Sequence, residues 1–500
     1  MSGGFRSRSA GRRQDKPERR PGKPVRKQSP KSAGKYTDTK RSGRTRYTVK
    51  GRPASIGDPA REAAFEVVLR VARDGAFANL TLPGILRERE ISGRDAAFAT
   101  ELAYGTLRSL GVLDAVIAEN SSRELERIAP EVLAALRLGA YQLLYTRVSD
   151  HAAVDTSVRL VEAAGQDKAK GFANGVLRSI GRTPSEQWLR KLAPTSELGA
   201  LAFTYAHPEW IARSFAEALG NRGDELEAAL EADSARPVVH LVARPGEISA
   251  EELALTIGGE QGKYSPYAVY LPEGDPGQLE PVREGLAAVQ DEGSQIIARA
   301  LTEVPVDKDQ GRWLDLCAGP GGKAALIGAI AAIDGAKVDA VEVSPHRATL
   351  IEKTVRNLPV RVHTADGREP GLAPGYDRVL VDAPCSGLGA LRRRPEARWT
   401  KVESDIAELN QLQEELLESA VALTKPGGVV VYSTCSPDVR ETRRIVEKQL
   451  AKGGVQELDA REWAAGLEDV GEEPSVQMWP HRHGTDAMFS AVLRKTETLG

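Results

Sequence analysis

The chain has 500 residues, with 68 Lys/Arg against 70 Asp/Glu, enough for two or three domains with substantial cores. It contains no run of 18 apolar residues and no apolar signal core, and its three cysteines include no C-x-x-C pair. A membrane span, a secretory leader and a disulfide framework are therefore not expected, and reduced thiols in a cytoplasmic protein are.

The near-zero net charge hides an asymmetry. Residues 1–55 hold 18 Lys/Arg against 3 Asp/Glu, so the rest of the chain carries −17. This Gly/Ser/Pro-rich segment predicts a disordered basic tail, either contacting phosphate backbones non-specifically or serving as a dispensable solvated extension. Residues 56–185 predict an all-α domain of five to seven helices, with Ala63, Val67, Leu69 and Val71 opening the first amphipathic segment. Within it, Phe172-Ala-Asn174-Gly175-Val176-Leu177-Arg178 reads as a helix with Phe172, Val176 and Leu177 facing the core. Arg178 and Arg108 are free to contact RNA. Residues 186–288 mix helix and strand and predict a small α+β module acting as linker and substrate platform, with His240 on a strand face and without catalytic duty.

Residues 289–496 alternate strand and helix. Strands are expected at 313–317, 338–343, 360–365, 376–381 and 428–434, with a final one at 487–493 pairing at the sheet's end. The clearest helix spans 404–424 and is closed by Pro426-Gly-Gly428. The pattern implies a parallel, doubly wound α/β sheet. After the first strand, Asp315-Leu-Cys317-Ala318-Gly319-Pro320-Gly321-Gly322-Lys323 turns tightly into an alanine-rich helix, a nucleotide-binding corner. Its glycines also fit a dinucleotide fingerprint. Asp315, however, would repel a pyrophosphate and suits the ammonium group of S-adenosylmethionine.

Asp315, Cys317, Glu342, Asp366, Asp382 and Cys435 each fall at or just past a strand's carboxyl end, where open α/β sheets bind ligands. Glu342 is placed for ribose hydroxyls, Asp366 for the adenine amino group and Asp382 for a base edge. Cys317 reads as a small buried hydrophobe or as a backbone element of the turn. Cys385 and Cys435 follow neighbouring strands and should converge over the same pocket. Carbon 5 of a pyrimidine is a poor nucleophile; a thiolate adding at carbon 6 makes it enamine-like and able to attack a sulfonium methyl. A splayed-out base is the accessible substrate. His481 and His483 lack companion ligands, so no metal is expected.

Asp315–Lys323, Asp382-Ala-Pro-Cys-Ser-Gly387 and Ser433-Thr-Cys-Ser436 together resemble the RNA cytosine-C5 methyltransferase family, the NOL/NOP/Sun group. The all-α segment resembles the NusB-like antitermination fold, and the combination is similar to bacterial 16S ribosomal RNA methyltransferases of the RsmB/Sun type. The resemblance implies a multidomain protein, with an all-α NusB-like RNA-binding domain before a Rossmann-like (class I) S-adenosylmethionine-dependent methyltransferase domain. It implies Cys435 as nucleophile and Cys385 as the residue assisting product release. Cys317 to Lys323, Glu342, Asp366 and Asp382 would line the cofactor and base pocket. The substrate would be RNA, ribosomal RNA above transfer RNA, acted on by a monomer. Gln290–Ser294 match the family's segment before the first strand, and Arg393-Arg394-Pro395 with Trp399 match its RNA-facing loop. Asp486-Ala-Met-Phe489 departs from the family's Asp-Gly-Phe-Phe. The competing readings are a non-catalytic RNA-binding assembly factor, an amino-group or DNA methyltransferase, and a dinucleotide oxidoreductase. Amino-group methylation would call for Asp/Asn-Pro-Pro-aromatic after strand four, where this chain has Ala-Pro-Cys.

Overall fold

The computed structural model describes residues 56–464 and 466–496; the basic tail expected at 1–55 lies outside them. Seven α-helices open the described chain: α1 (Pro59–Asp74), α2 (Ala78–Glu88), α3 (Gly93–Arg108), α4 (Leu110–Asn120), α5 (Pro130–Tyr145), α6 (Asp150–Ala163) and α7 (Lys170–Ile180). Asp58 caps α1 by accepting from Arg61 N–H at 3.0 Å, and Pro59 occupies its first turn. Leu102, Leu113, Leu136, Leu138 and Leu177 are fully buried at the centre of this domain, each worth roughly 1.5–3 kcal/mol of apolar transfer.

The segment expected to mix helix and strand holds both, helices first and a small sheet after them. Four helices come first: α8 (Ser185–Leu192), α9 (Glu197–Thr204), α10 (Glu209–Leu219) and α11 (Leu226–Ser234). Phe215, Leu219 and Leu230 from this group share a core with Leu388, Leu391 and Trp479, far along the chain. An antiparallel sheet follows, ordered β2-β3-β1-β4, from β1 (Val239–Ala243), α12 (Ala250–Ile257), β2 (Glu260–Gln261), β3 (Ala268–Leu271), α13 (Glu280–Glu284) and β4 (Ala287–Val289).

The remaining elements are α14 (Glu292–Glu303), β5 (Arg312–Asp315), α15 (Gly322–Asp334), β6 (Lys337–Glu342), α16 (Pro345–Thr354), β7 (Val360–Thr364), β8 (Tyr376–Asp382), α17 (Ala397–Thr400), α18 (Asp405–Leu423), β9 (Thr424–Thr434), α19 (Arg443–Lys452), β10 (Val455–Leu458), β11 (Val476–Gln477), α20 (Pro480–His483) and β12 (Phe489–Lys495). The large sheet runs β10-β12-β9-β8-β5-β6-β7, with β5 to β9 parallel and β12 antiparallel to both its neighbours. Side chains alternate along the strands. Leu380, Val429 and Val431 pack with Ile296, Leu301 and Ile327 on one face, and Val379, Val381, Val430 and Tyr432 with Leu416, Leu417 and Ile445 on the other.

Two details differ from expectation. The last strand lies inside the sheet, between β9 and β10, because residues 455–458 add an edge strand beyond it. Pro426-Gly-Gly428 does not close α18, which stops at Leu423. It forms the opening of β9, where positive φ at Gly427 accompanies a register shift against β8.

Candidate active site

Asp315, Glu342 and Asp382 end β5, β6 and β8, and Cys435 directly follows β9. The turn after β5 is built for close approach. Gly321 has φ +112°, a conformation L side chains avoid, and it caps α15. A Cβ on Gly319 would stand 2.0 Å from Glu342 Oε2, so only glycine lets the turn lie against that carboxylate. Glu342 accepts from Ser344 N–H at 2.8 Å, and Arg347 spans from Glu342 to the Gly319 carbonyl. Cys317 packs into the core beneath the turn, and burial raises its thiol well above the ordinary value.

Asp315 is fully buried and accepts only a long 3.4 Å bond from Cys317 N–H through Oδ1; Oδ2 has no partner. Burial first, and the Asp382 carboxylate second, push its pKa up to about 7, with Lys323 opposing. A buried carboxylate with a spare oxygen, beside a turn that no side chain fills, fits a ligand carrying an ammonium group. Asp366 stands apart. It follows β7 at the sheet's edge, is 40% exposed, and both its oxygens are held by Arg368, which itself reaches Glu415.

The cysteines meet as their strands imply. Cys385 Sγ lies 3.4 Å from Cys435 Sγ, a hydrogen-bonded pair. That bond lowers the Cys435 pKa against burial and Asp382, helped by Arg394 and Lys323; the same bond, then burial, raises Cys385 well above its ordinary value. The two thiols therefore titrate as a pair, with Cys435 the readier of the two to ionise. Lys323 leaves the turn to reach Asp382 Oδ2 at 2.8 Å, while Ser433 donates to Asp382 Oδ1 at 3.0 Å. Net attraction to Asp382 keeps Lys323 protonated in spite of burial.

Residues outside the sequence motifs hold this pair in place. Glu441, fully buried, accepts from Ser386 N–H at 2.8 Å, from the Ser386 hydroxyl, and from Gln413 Nε2 at 3.1 Å. Gln413 also donates to the Pro384 carbonyl at 2.9 Å, and the Ser386 and Ser436 hydroxyls are 3.1 Å apart. One carboxylate thus ties the Cys385 loop to the Cys435 loop. Gly389 N–H donates to the Cys435 carbonyl at 2.9 Å, and a Cβ on Gly389 would strike the Ala487 carbonyl at 1.8 Å.

The loop expected to face RNA is largely occupied. Arg393 bonds Asp291 at 2.7 Å and Asp486 at 2.9 Å, and Arg392 bonds Asp486 at 2.8 Å. Trp399 donates to the Arg108 carbonyl at 3.1 Å and its ring fills the space beside Gly111, joining the methyl-side loop to the helical domain. Local sequence cannot reveal these contacts, whose partners lie about 100 to 300 residues away. Only Arg394 of the three remains without an ion pair among the described residues, its guanidinium beside Gly387. His240 accepts from Glu292 N–H at 3.1 Å, a structural role. His481 and His483 bond Glu225 and the Glu468 carbonyl at 2.8 Å each, and among the described residues no group of three or more His, Cys, Asp or Glu is arranged for a metal. No described helix is long and apolar enough to cross a membrane.

Comparison with known proteins agrees with this architecture. Residues 301–494 match the family described as 16S rRNA methyltransferase RsmB/F, and residues 58–182 match the NusB family. A Mycobacterium tuberculosis (strain H37Rv) protein, whose name gives a methyltransferase and no substrate, is 56% identical over 88% of this chain and 97% of its own. The ribosomal RNA small subunit methyltransferase B of Enterobacter sp. (strain 638) is 33% identical over 87% of this chain and 98% of its own. The crystal structure of PH0851 superposes with a TM-score of 0.76 at 24% identity, covering 88% of this chain and 99% of that one, a likeness of fold.

Proposed function

This chain belongs to the 16S rRNA methyltransferase RsmB/F family, and from that membership we propose that it methylates carbon 5 of a cytosine in 16S ribosomal RNA through a transient bond from Cys435 to carbon 6. The observation that carries the proposal is the 3.4 Å pair of unequal thiols beside the Lys323–Asp382 ion pair. A hydride transfer would have no use for two thiols there.

The family uses S-adenosylmethionine, which supplies a sulfonium-activated methyl group when bound. Asp315 would hold its ammonium group and Glu342 its ribose hydroxyls, with the Gly319–Gly322 turn lying against it. The Cys435 thiolate adds to carbon 6 of a splayed-out cytosine, and the ring electrons pass toward carbon 5. Asp382, oriented by Lys323 and Ser433, would accept from the amino group on the base edge and so hold the ring in place over Cys435. Carbon 5 gains the methyl group; a solvent water then takes the carbon 5 proton, and the C5–H electron pair returns to the ring and expels the Cys435 thiolate. Cys385, the less acidic member of the pair, would assist that expulsion from 3.4 Å away.

A Cys385→Ser variant incubated with unmodified 16S RNA and S-adenosylmethionine should accumulate a protein–RNA adduct that survives denaturing electrophoresis. No adduct in Cys385→Ser, together with full turnover in Cys435→Ser, would refute this chemistry.

A further inference from the structure

Cys385 and Cys435 touch through their reactive atoms, Sγ to Sγ at 3.4 Å, and the backbone sets that contact. β8 and β9 run parallel with Asp382 opposite Ser433, and Ala383 N–H donates to the Ser433 carbonyl at 2.8 Å just before the cysteines. Beyond them the Ser386 and Ser436 hydroxyls are 3.1 Å apart, and Gly389 N–H donates to the Cys435 carbonyl at 2.9 Å. The two thiols are thus held together from both sides. Cys317, the remaining cysteine, packs into the core beneath the turn and has no thiol partner among the described residues.

Sulfur atoms held this way are placed for a bond as well as for a proton. A disulfide has an S–S length of about 2.05 Å, so the sulfurs would have to close by ~1.4 Å, a movement that side-chain rotation supplies. Neither thiol is sealed from solvent: both are half-buried, and Pro384 beside Cys385 is exposed, so a small oxidant can reach them. Thiolate character and access decide which thiols a peroxide oxidises, and of this pair Cys435 is the readier to ionise.

We propose that Cys385 and Cys435 form a reversible oxidative modification site, at which hydrogen peroxide links the 3.4 Å pair as a disulfide and a dithiol releases it. The Cys435 sulfur attacks one peroxide oxygen, the O–O bond breaks, and the Cys435 proton leaves with the departing hydroxide as water. Cys435 is then a sulfenic acid. The Cys385 sulfur attacks the Cys435 sulfur, the S–O bond breaks, and that hydroxide takes the Cys385 proton as a second water. An electron pair has passed from the sulfurs to the peroxide. Cys385 acts here as a resolving thiol: it captures the sulfenic acid before further peroxide carries it to the irreversible sulfinic acid. In a reducing compartment such a bond is transient and redox-sensing, not structural. The linkage itself needs no RNA. Its consequence, loss of methyl transfer while both thiols are tied up, rests on the function proposed above.

The test uses the full chain, reduced, freed of reductant and treated with hydrogen peroxide. After alkylation in denaturant, peptide mapping should find Cys385 and Cys435 linked within one chain, with Cys317 alkylated. Methyl transfer to unmodified 16S RNA should fall in proportion to the linked fraction, by at least ~10⁴-fold at full linkage, as for loss of the nucleophile. Dithiothreitol should restore it. Cys385→Ser keeps the oxidisable sulfur without its resolving partner, so dimedone should trap a sulfenic acid at Cys435, and longer exposure should give a sulfinic acid that dithiothreitol does not reverse. The proposal is overturned if both cysteines of the peroxide-treated wild-type chain stay free to alkylate, if the link runs to Cys317 or to a second chain, or if dithiothreitol fails to restore the wild type. A chain that links and reduces as described, yet transfers no methyl group when reduced, refutes the functional reading and leaves the modification site standing. Methyl transfer without any linked peptide does the reverse.

Discussion

Arg393 and Arg394 are adjacent in the loop after β8, and the structure uses them oppositely. Arg393 joins Arg392, Asp291 and Asp486 in a lattice with no buried side-chain atom left unpaired. Arg394 turns toward the cysteines without an ion pair, in a pocket where Asp315 Oδ2 is also unpartnered. The lattice joins three distant segments, and its charges are spent on one another. In the pocket Asp382 is paired with Lys323 and Glu342 with Arg347, while Asp315 Oδ2 and Arg394 are left over; on the function proposed above, a ligand would complete them. The number of charged groups is similar in both places; what differs is how much binding capacity remains.

That contrast predicts separate consequences for mutation. Cys435→Ser should reduce methyl transfer at least ~10⁴-fold, as removal of covalent nucleophiles does elsewhere, and leave the thermal midpoint unchanged. A matching loss of stability would place Cys435 on the scaffold side. Asp291→Asn should do the reverse. Removing one member of a buried ionic group strands its partners, at a cost of about 3–5 kcal/mol, measurable as a lower urea midpoint. Against burial, His240 and Arg393 hold the Asp291 carboxyl well below its usual range. Its contribution is therefore present above pH ~4 and lost as pH falls further, so the variant should show a shallower acid unfolding profile.

Glu441→Gln tests the boundary between the two regions. The amide keeps the side chain's size but accepts fewer bonds from Ser386 and Gln413, so the cysteine loops should lose their register. A drop of ~10–100-fold in kcat is expected, consistent with misplacing reactive groups by fractions of an ångström. Adduct formation by the Cys385→Ser background should fall in parallel. Unaltered kcat would mean that the carboxylate only fills space.

The sequence carried the pocket's residues better than it carried their support. Asp315, Glu342, Asp382, Cys385 and Cys435 could be placed because β5, β6, β8 and β9 fix them, Asp382 and Cys385 sharing β8, and adjacent parallel strands bring their ends together whatever the side chains do later. Glu441 was not legible, since a glutamate seven residues beyond a strand has no local mark of burial. Arg393 and Trp399 were read as facing RNA, but partners at Asp291 and Arg108 claim them. The helices of residues 185–234 showed amphipathic spacing, whereas their docking on Leu388 and Trp479 depends on chain segments more than 150 residues away. Asp366 had the right address by sequence, and its neighbour Arg368 takes both its oxygens.

The smallest effect gives the finest test of available against spent charge. Asp315 has a pKa of about 7, raised by burial and then by Asp382. It is about one-tenth ionised at pH 6 and nine-tenths at pH 8, so a ligand ammonium that needs the carboxylate should bind ~10-fold more tightly at the higher pH. Asp315→Asn should flatten that dependence in a calorimetric titration with S-adenosylmethionine and weaken binding at pH 8. Stability should move the other way. Because the folded pKa lies above the unfolded value, ionising Asp315 costs stability as pH rises from ~4 through 7, and the asparagine variant escapes that cost. A variant more stable at pH 8 yet weaker for the methyl donor would identify Asp315 as a charge held in reserve for its ligand. A variant with unchanged affinity would return it to the scaffold, beside Asp291.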